Sequence, residues 1–307
     1  MGDQLKVHSA ATLVTGSGGF VGRHFCERYG GSPLADSQGT VDLRDAGRVQ
    51  RAVLAQSSNA VLHLAAQSSV ASSFQDPLET FAVNFHGTLN LLQALKEANF
   101  QGVFVYVGSA DVYGHVTETE LPARETQPLR PRSPYAVSKC AAEALCYQWS
   151  LSSPFRIVIA RPFNQIGPGQ DARFAIADFA HQIDEMRKGK RKPVLITGDI
   201  DVTRDFMDVR DTVRAYHLLM EHGENGEIYN ICSGTERSIR SLLNELVQIA
   251  DVQVELQVDQ SRIRATEQRR MVGDPSKIGK SLGWYPERTM HQTLEDILRE
   301  RGILNAH

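Results

Sequence analysis

Hydrophobic positions along this 307-residue chain repeat with two periods. Compact apolar runs at Ala11–Thr15, Ala60–Ala65, Val103–Val107 and Phe155–Arg161 are short for helices and read as strands buried on both faces. Leu34–Asp36 is a weaker second strand. Between these runs the apolar residues fall three and four apart. They do so from Phe20 to about Tyr29, from the Thr40–Asp45 segment to about Ala55, and from Pro77 to about Ala98. In the last of these, Phe81, Phe85, Leu89, Leu92 and Leu95 mark the apolar face. A further helix starts at Ser133, which suits an N-cap, with Pro134 at the first helical position. Strands alternating with helices of about 10–20 residues predict an α/β fold with a doubly wound parallel sheet. Ligands of such sheets bind beyond the strand C-termini. The turn after Thr15, Ala65–Ala66, Ser109 and Pro162–Asn164 all fall there.

Beyond Asn164 the rhythm loosens. Gly167–Gly169 opens a loop, a helix covers about 175–188, and Val194–Ile196 is a short strand. Residues 208–221 and 227–231 return to helix and strand, and 238–250 and 290–301 are amphipathic helices. The expected division is residues 1–163 plus about 208–232 in one domain. About 164–207 plus 233–307 then form a smaller, discontinuous C-terminal lobe.

The segment after the first strand, Thr15-Gly16-Ser17-Gly18-Gly19-Phe20-Val21-Gly22, has glycine at every third position from Gly16. Gly16 permits the backbone angle at the strand exit, and Gly19 lets main chain approach a pyrophosphate at the helix N-terminus. Gly22 allows close helix-to-sheet packing. An acid about 20 residues on reads the adenosine ribose in such units, and Asp36 stands there with no adjacent arginine, which leans toward NAD. Asp42 and Leu43 are candidates for the adenine edge, with a helix N-cap as the alternative for Asp42.

Tyr135 and Lys139 lie at i and i+4 on one helix face. A cation about 4 Å from the phenol, at an effective dielectric near 20, supplies up to roughly 4 kcal/mol toward the phenolate. That lowers the phenol pKa by up to about 3 units before desolvation opposes it. Ser109, at the end of the preceding strand, is placed to hydrogen-bond a reacting oxygen. Glycine turn, Ser109, Tyr135 and Lys139 together point to hydride transfer at a carbinol or ketone with a nicotinamide cofactor.

Composition narrows the alternatives. The 33 basic and 36 acidic residues give a net charge of −3, and the one basic run, Arg187–Lys192, reads as a solvated helix end, so nucleic acid is not the expected partner. The four cysteines have neither metal-ligand nor CxxC spacing and read as reduced thiols. No apolar run approaches 18 residues, which leads to the expectation of a soluble, cytoplasmic protein without membrane or metal.

The stretches TGSGGFVG, LHLAAQSSV, VGSADVYG, SPYAVSK, RPFNQIGPGQ and DVTRDFMDVRDTVRAY resemble the extended short-chain dehydrogenase/reductases, a Rossmann-type superfamily, and within it the nucleotide-sugar epimerases, dehydratases and reductases. The likeness runs through Met271–Lys277 and Leu282–Trp284. RPFNQIGPGQ, FAIADFAHQI, RDFMDVRD and GDPSK are most similar to the GDP-mannose 4,6-dehydratase and GDP-4-keto-6-deoxymannose reductase group. The resemblance implies Ser109, Tyr135 and Lys139 as catalytic triad. It implies Gly16, Gly19, Phe20, Val21, Gly22, Asp36, Asp42, Leu43, Leu64, Ala65, Ala66, Pro162 and Phe163, with Tyr135 and Lys139, along an NAD(P)H cofactor. Gln67, Ser69, Ser109, Asp111, Asn164, Arg204, Arg264 and Glu267 are implied along a GDP-sugar, and the helices at 77–98 and from Ser133 as a homodimeric four-helix bundle.

Dehydration at C5–C6 needs an acid and a base besides hydride transfer, and the group's dehydratases carry a polar residue and Glu after the catalytic hydroxyl. Here Ala110 and Asp111 follow Ser109, and alanine moves no proton. The expectation is therefore reduction of a GDP-4-dehydro-6-deoxy-hexose, leaning to NADH. A dehydratase or 4-epimerase that recycles bound NAD stays open, as does a non-catalytic dinucleotide-binding regulator.

Overall fold

Residues 12–263 and 268–304 are described by the computed structural model of the protein. Six strands form one sheet in the order Ile228–Ile231, Arg156–Pro162, Val103–Val107, Ala60–His63, Thr12–Thr15, Ser32–Pro33. All pairings from Arg156–Pro162 across to Ser32–Pro33 are parallel. Register aligns Leu13, Val61, Phe104 and Ile157 in one row, each at most 2% exposed. A parallel sheet flanked by helices needs apolar side chains on both faces, which is why these runs show no alternation. Each such side chain removed from water contributes about 1.5–3 kcal/mol. From Thr12–Thr15 the chain steps outward to Ser32–Pro33 and then back across to Ala60–His63, so strand order reverses between the first and third strands. That reversal is the ligand crevice of a doubly wound sheet.

Helices at Phe20–Tyr29, Ala46–Ala55 and Pro134–Ser150 lie where the periodicity predicts them. Ser133 caps the last, its hydroxyl accepting from Ala136 N–H at 3.1 Å, with Pro134 in the first turn. The long helix differs from expectation. It runs as Pro77–Phe81, a π turn at Ala82–His86, and Gly87–Glu97. The wider turn changes which side chains face inward. Thr80, Asn84 and Thr88 are buried before Leu91, Leu92 and Leu95 take over, while Phe81, Phe85 and Leu89 are only half-buried.

The second strand is also corrected. Ser32–Pro33 is the sheet edge, and Ala35–Asp36 folds back antiparallel on Gly39–Thr40. Pro33 has no N–H with which to extend the ladder.

The chain divides into two compact units of nearly equal length. One holds the residues up to Val112, Ser133–Arg161 and Tyr216–Tyr229; the other holds Tyr113–Arg132, Pro162–Ala215 and the residues from Asn230 onward. Beyond the expected 164–207 and 233–307, the second unit therefore includes 113–132, 162–163, 208–215 and 230–232. In it Gly114 (φ 57°) lies so close to the Arg130 carbonyl that no Cβ would fit, and His115 N–H donates to the same carbonyl at 3.1 Å. This unit has a sheet of Glu236–Ser238, Thr203–Asp208 and Asn164–Ile166, and the parallel pair Val194–Thr197 with Glu255–Val258. Its core includes Phe179, Ile183, Phe206, Leu242, Leu246, Leu294 and Leu298. In the basic run, Lys188 pairs with Asp184 at 2.7 Å and Arg191 with Glu185 at 3.1 Å.

Candidate active site

The glycine turn is fixed by backbone against backbone. Gly16 has φ 72°, and a Cβ there would lie 2.9 Å from Ala65 N. A Cβ on Gly22 would lie 2.3 Å from the Gly16 carbonyl oxygen. Gly19 occupies the N-cap of the Phe20–Tyr29 helix, which has no side-chain cap, and Phe20 and Val21 form its first turn. Around a Cβ on Gly18 there is open space within 4 Å. An uncapped helix N-terminus behind such a turn favours an anion. Across the sheet reversal, Leu64 N–H donates to the Thr15 carbonyl and Ala65 N–H to Thr15 Oγ1, both at 3.2 Å, with Ala66 next in line.

Asp36 is not without an arginine in space. Arg48, twelve residues on, grips it bidentately at 2.8 and 2.9 Å and holds its carboxyl down to about 2. Arg51 adds a weaker pull in the same direction. Sequence adjacency misses this because the Ala46–Ala55 helix brings Arg48 back over the hairpin. Asp42 is not the helix N-cap either. Asp45 fills that position, accepting from Arg48 N–H, whereas Asp42 binds Arg44, which also reaches Glu79 at 2.7 Å. Leu43 is buried, and its carbonyl accepts from Asn90 Nδ2 at 2.8 Å.

Two of the residues expected on the sugar are committed to their own loop. Gln67 donates to Thr80 Oγ1 at 3.0 Å and accepts from Ser69 N–H, while the Ser69 hydroxyl caps the Val70–Gln75 helix by accepting from Ser72 N–H.

Ser109, Tyr135 and Lys139 lie in one unit. Ser109 Oγ accepts from Asp111 N–H at 3.1 Å in the short turn Ala110–Val112. Tyr135 is 8% exposed. Burial pushes its phenol above the ordinary range, the Asp111 carboxylate pushes it further, and a hydrogen bond from the Ser109 hydroxyl acts the other way. The expected depression by Lys139 is not found. Lys139 Nζ instead donates to the Val107 carbonyl at 2.9 Å and sits 5.2 Å from the Tyr106 ring centroid, and its own pKa is lowered to about 8 by burial. Helical spacing places the two side chains on one face, but the buried ammonium is drawn to the carbonyl and ring instead.

In the second unit, Pro162 closes its strand and Phe163 is buried, with its ring 6.2 Å from Tyr113. Asn164 is exposed at the start of Asn164–Ile166, and Arg204 donates to the Thr203 carbonyl at 2.7 Å. Arg264 and Glu267 lie outside the described residues.

Several residues escape sequence reasoning. Asn84, in the π turn, accepts from Gln67 N–H at 2.8 Å and donates to Ser138 Oγ at 2.9 Å. Glu143, one turn past Lys139, pairs with Arg161 at 2.9 Å in the interior and ties the tyrosine helix to its neighbouring strand. Their signal is a line of polar residues at helical spacing: Thr80, Asn84 and Thr88 in one segment, Tyr135, Lys139 and Glu143 in the other.

A Rossmann-type sheet with a glycine turn at its reversal, a buried Tyr135–Lys139 pair and a half-buried Ser109 defines a short-chain dehydrogenase/reductase fold. A family profile described as GDP-mannose 4,6 dehydratase matches residues 38–297. The chain belongs to that family. It is 45% identical to the GDP-6-deoxy-D-mannose reductase of Pseudomonas aeruginosa over 94% of this chain and 96% of that one. It is 28% identical to a GDP-mannose 4,6-dehydratase of Vibrio cholerae over 84% of this chain and 77% of the other. Among solved structures, RMD from Pseudomonas aeruginosa complexed with NADPH superposes with a TM-score of 0.88 at 43% identity, covering 95% of this chain and 98% of that one. The Thermus thermophilus UDP-glucose 4-epimerase complex with NAD gives 0.83 at 30% identity, covering 95% and 99%.

Proposed function

We propose that this chain is an NAD(P)H-dependent nucleotide-sugar oxidoreductase. It reduces the 4-keto group of GDP-4-dehydro-6-deoxy-D-mannose to GDP-D-rhamnose (GDP-6-deoxy-D-mannose) or a close epimer, in polysaccharide-precursor synthesis. The observation that carries this reading is a buried phenol kept protonated beside a serine hydroxyl, with Ala110 where dehydration needs a proton carrier. The 45% identity to the Pseudomonas reductase supports it.

The turn fits a dinucleotide: glycines at 16 and 22 let it close tightly against backbone, while Gly18 faces open space before an uncapped helix N-terminus. Gly16, Gly19, Phe20, Val21 and Gly22 would hold the pyrophosphate end, Leu43 the adenine, and Ala65, Ala66, Tyr135 and Lys139 the nicotinamide half, with Pro162 and Phe163 near it. The bound dinucleotide supplies the hydride. Tyr135 gives its phenolic proton to the sugar O4, and Ser109 O–H hydrogen-bonds the same oxygen. Lys139, anchored on the Val107 carbonyl, would serve the nicotinamide ribose. Asn164, Arg204, Arg264 and Glu267 would take the GDP-sugar. Gln67 and Ser69 act through the loop they shape.

Between the two reduced cofactors, Arg48 beside Asp36 shifts the reading toward NADPH. It neutralises the carboxylate that would repel a 2′-phosphate and supplies a guanidinium for it. A homodimer is part of the proposal, supported by the apolar side chains exposed on adjoining helices: Phe74 (56%), Leu78 (84%) and Val137 (41%). Cytoplasmic residence accords with four cysteines that are all free. The proposed division of labour keeps the sheet of the first unit for the dinucleotide and the second unit for the nucleotide sugar.

The deciding assay feeds freshly prepared GDP-4-dehydro-6-deoxy-D-mannose with NADPH or NADH and identifies the product. Cofactor oxidation with formation of a GDP-6-deoxyhexose is expected, faster with NADPH. If no oxidation occurs but GDP-mannose with NADP⁺ yields a 4-keto sugar, the reductase reading gives way to the dehydratase.

A further inference from the structure

Thr15, His63, Thr88, Asn84 and Ser138 form a continuous run of hydrogen bonds in the interior of the first unit, each residue at most 3% exposed. Its direction can be read off the donors. Thr88 Oγ1 donates to the Asn84 carbonyl at 2.7 Å, so it accepts from His63 Nε2 at 2.9 Å. With the proton on Nε2, the bare Nδ1 accepts from the Thr15 hydroxyl at 2.7 Å, and that hydroxyl's oxygen accepts from Ala65 N–H at 3.2 Å. This arrangement needs a neutral imidazole, and burial keeps it so: the pKa of His63 is lowered to about 3, the Lys139 charge acting in the same direction. Onward from the π turn, Asn84 Nδ2 donates to Ser138 Oγ at 2.9 Å, and Ser138 Oγ donates to the Tyr135 carbonyl at 2.7 Å.

One end of this run is the last residue before Gly16; the other is the main chain of Tyr135. Apolar residues could fill the same volume, and a buried polar chain is costly unless every member is satisfied. Here every group has its partner.

We infer that the Thr15–His63–Thr88–Asn84–Ser138 chain is a positioning device that fixes Tyr135 relative to the glycine turn, with His63 as its central positioning residue. This rests on the proposed role of Tyr135 as proton donor. The chain links the strand exit that shapes the turn to the helix that carries the phenol, at a different point from the Lys139–Val107 and Glu143–Arg161 ties of that helix to the sheet. A displacement of about 1 Å at a reacting group costs about a hundredfold in rate.

The test compares His63→Phe, which keeps a ring and loses both hydrogen bonds, with His63→Gln, whose amide offers one acceptor and one donor. For each, thermal unfolding, dinucleotide affinity by fluorescence, kcat and KM for the keto sugar, and the alkaline ultraviolet titration of Tyr135 (as the difference from Tyr135→Phe) are measured. The expected result for His63→Phe is a kcat lower by about 30- to 100-fold with KM within about threefold, and a displaced Tyr135 titration. His63→Gln should recover most of the kcat. If His63→Phe does not fold, Thr88→Val breaks the same chain with little change in shape and should lower kcat about tenfold. Wild-type kcat and an unmoved Tyr135 titration in a folded, chain-breaking variant overturn the inference, leaving these bonds as stabilising contacts only. Absence of turnover in the wild type would instead count against the proposed reaction, while the Tyr135 titration would still decide the positioning role.

Discussion

At the glycine turn, atoms are held by backbone against backbone: Gly22 leaves no room for a Cβ under the Gly16 carbonyl, and Gly16 none beside Ala65. At the tyrosine helix the reacting phenol is held by side chains. Ser138 bonds the carbonyl of Tyr135, Ser109 bonds its phenol, and Glu143 pairs with Arg161 two turns further on. The first arrangement is sensitive to volume and nearly indifferent to pH. The second is sensitive to charge and to the loss of a single hydrogen bond. The two regions should therefore fail in different ways when altered.

The largest effect is expected at Tyr135. Tyr135→Phe removes the proton donor and leaves the ring, so kcat for the keto sugar should fall roughly a thousandfold. Dinucleotide affinity, measured by fluorescence titration, should stay within about threefold, because no atom of the turn is touched. Turnover near wild type would remove Tyr135 from the chemistry. The converse substitution is Gly22→Ala. Overpacking of about 1–3 kcal/mol is expected there. It should appear as dinucleotide binding weaker by roughly 10- to 100-fold with a lower melting temperature, and kcat at saturating cofactor should be changed much less. A variant that bound cofactor normally would mean the turn has slack that its backbone distances do not show.

The contrast between the regions also explains what could be read in the chain. Glycines at 16, 19 and 22 after an apolar run announce the turn, because at Gly16 and Gly22 backbone lies too close for any Cβ. Strand and helix positions follow from the same local rules, and Ser133 and Pro134 mark their helix start to the residue. Electrostatics are not local. The i, i+4 spacing puts Lys139 on the face of Tyr135, yet the direction of the phenol's pKa shift depends on burial and on Asp111. Asp36 stands alone in sequence, and its partner Arg48 comes from the next helix. The π turn breaks the periodicity from which its own burial would be inferred, so that periodicity puts the half-buried Phe81 and Phe85 on the apolar face and gives no sign of the buried Asn84.

A smaller effect sharpens the electrostatic side. Asp111 raises the Tyr135 pKa, so Asp111→Asn should lower it, though burial keeps it above the ordinary value. Reduction needs the protonated phenol and is lost as pH rises through that pKa. The alkaline limb of the kcat profile should therefore move to lower pH, by up to about one unit. A limb that moves upward would mean that Asp111 acts through geometry rather than charge.

The last prediction concerns stability, and it isolates the histidine that joins the two regions. His63 has a folded pKa of about 3 against an ordinary value of 6.5. Between those values the unfolded chain binds a proton at this residue that the folded protein does not, so stability falls as pH drops through the window. Near pH 4.5 the loss attributable to His63 is about 3 kcal/mol. Carboxylates such as Asp36 and Glu236, held low by Arg48 and Arg270, also lose stabilisation in acid, but they do so equally in a variant that keeps them. The difference between wild type and His63→Gln therefore reports this one group. The Gln variant, less stable or equal at neutral pH, should lose less on acidification, by about 3 kcal/mol in urea unfolding compared near pH 7 and 4.5. Parallel losses in the two proteins would mean that water reaches the imidazole and that its bonds to Thr15 and Thr88 exchange with solvent.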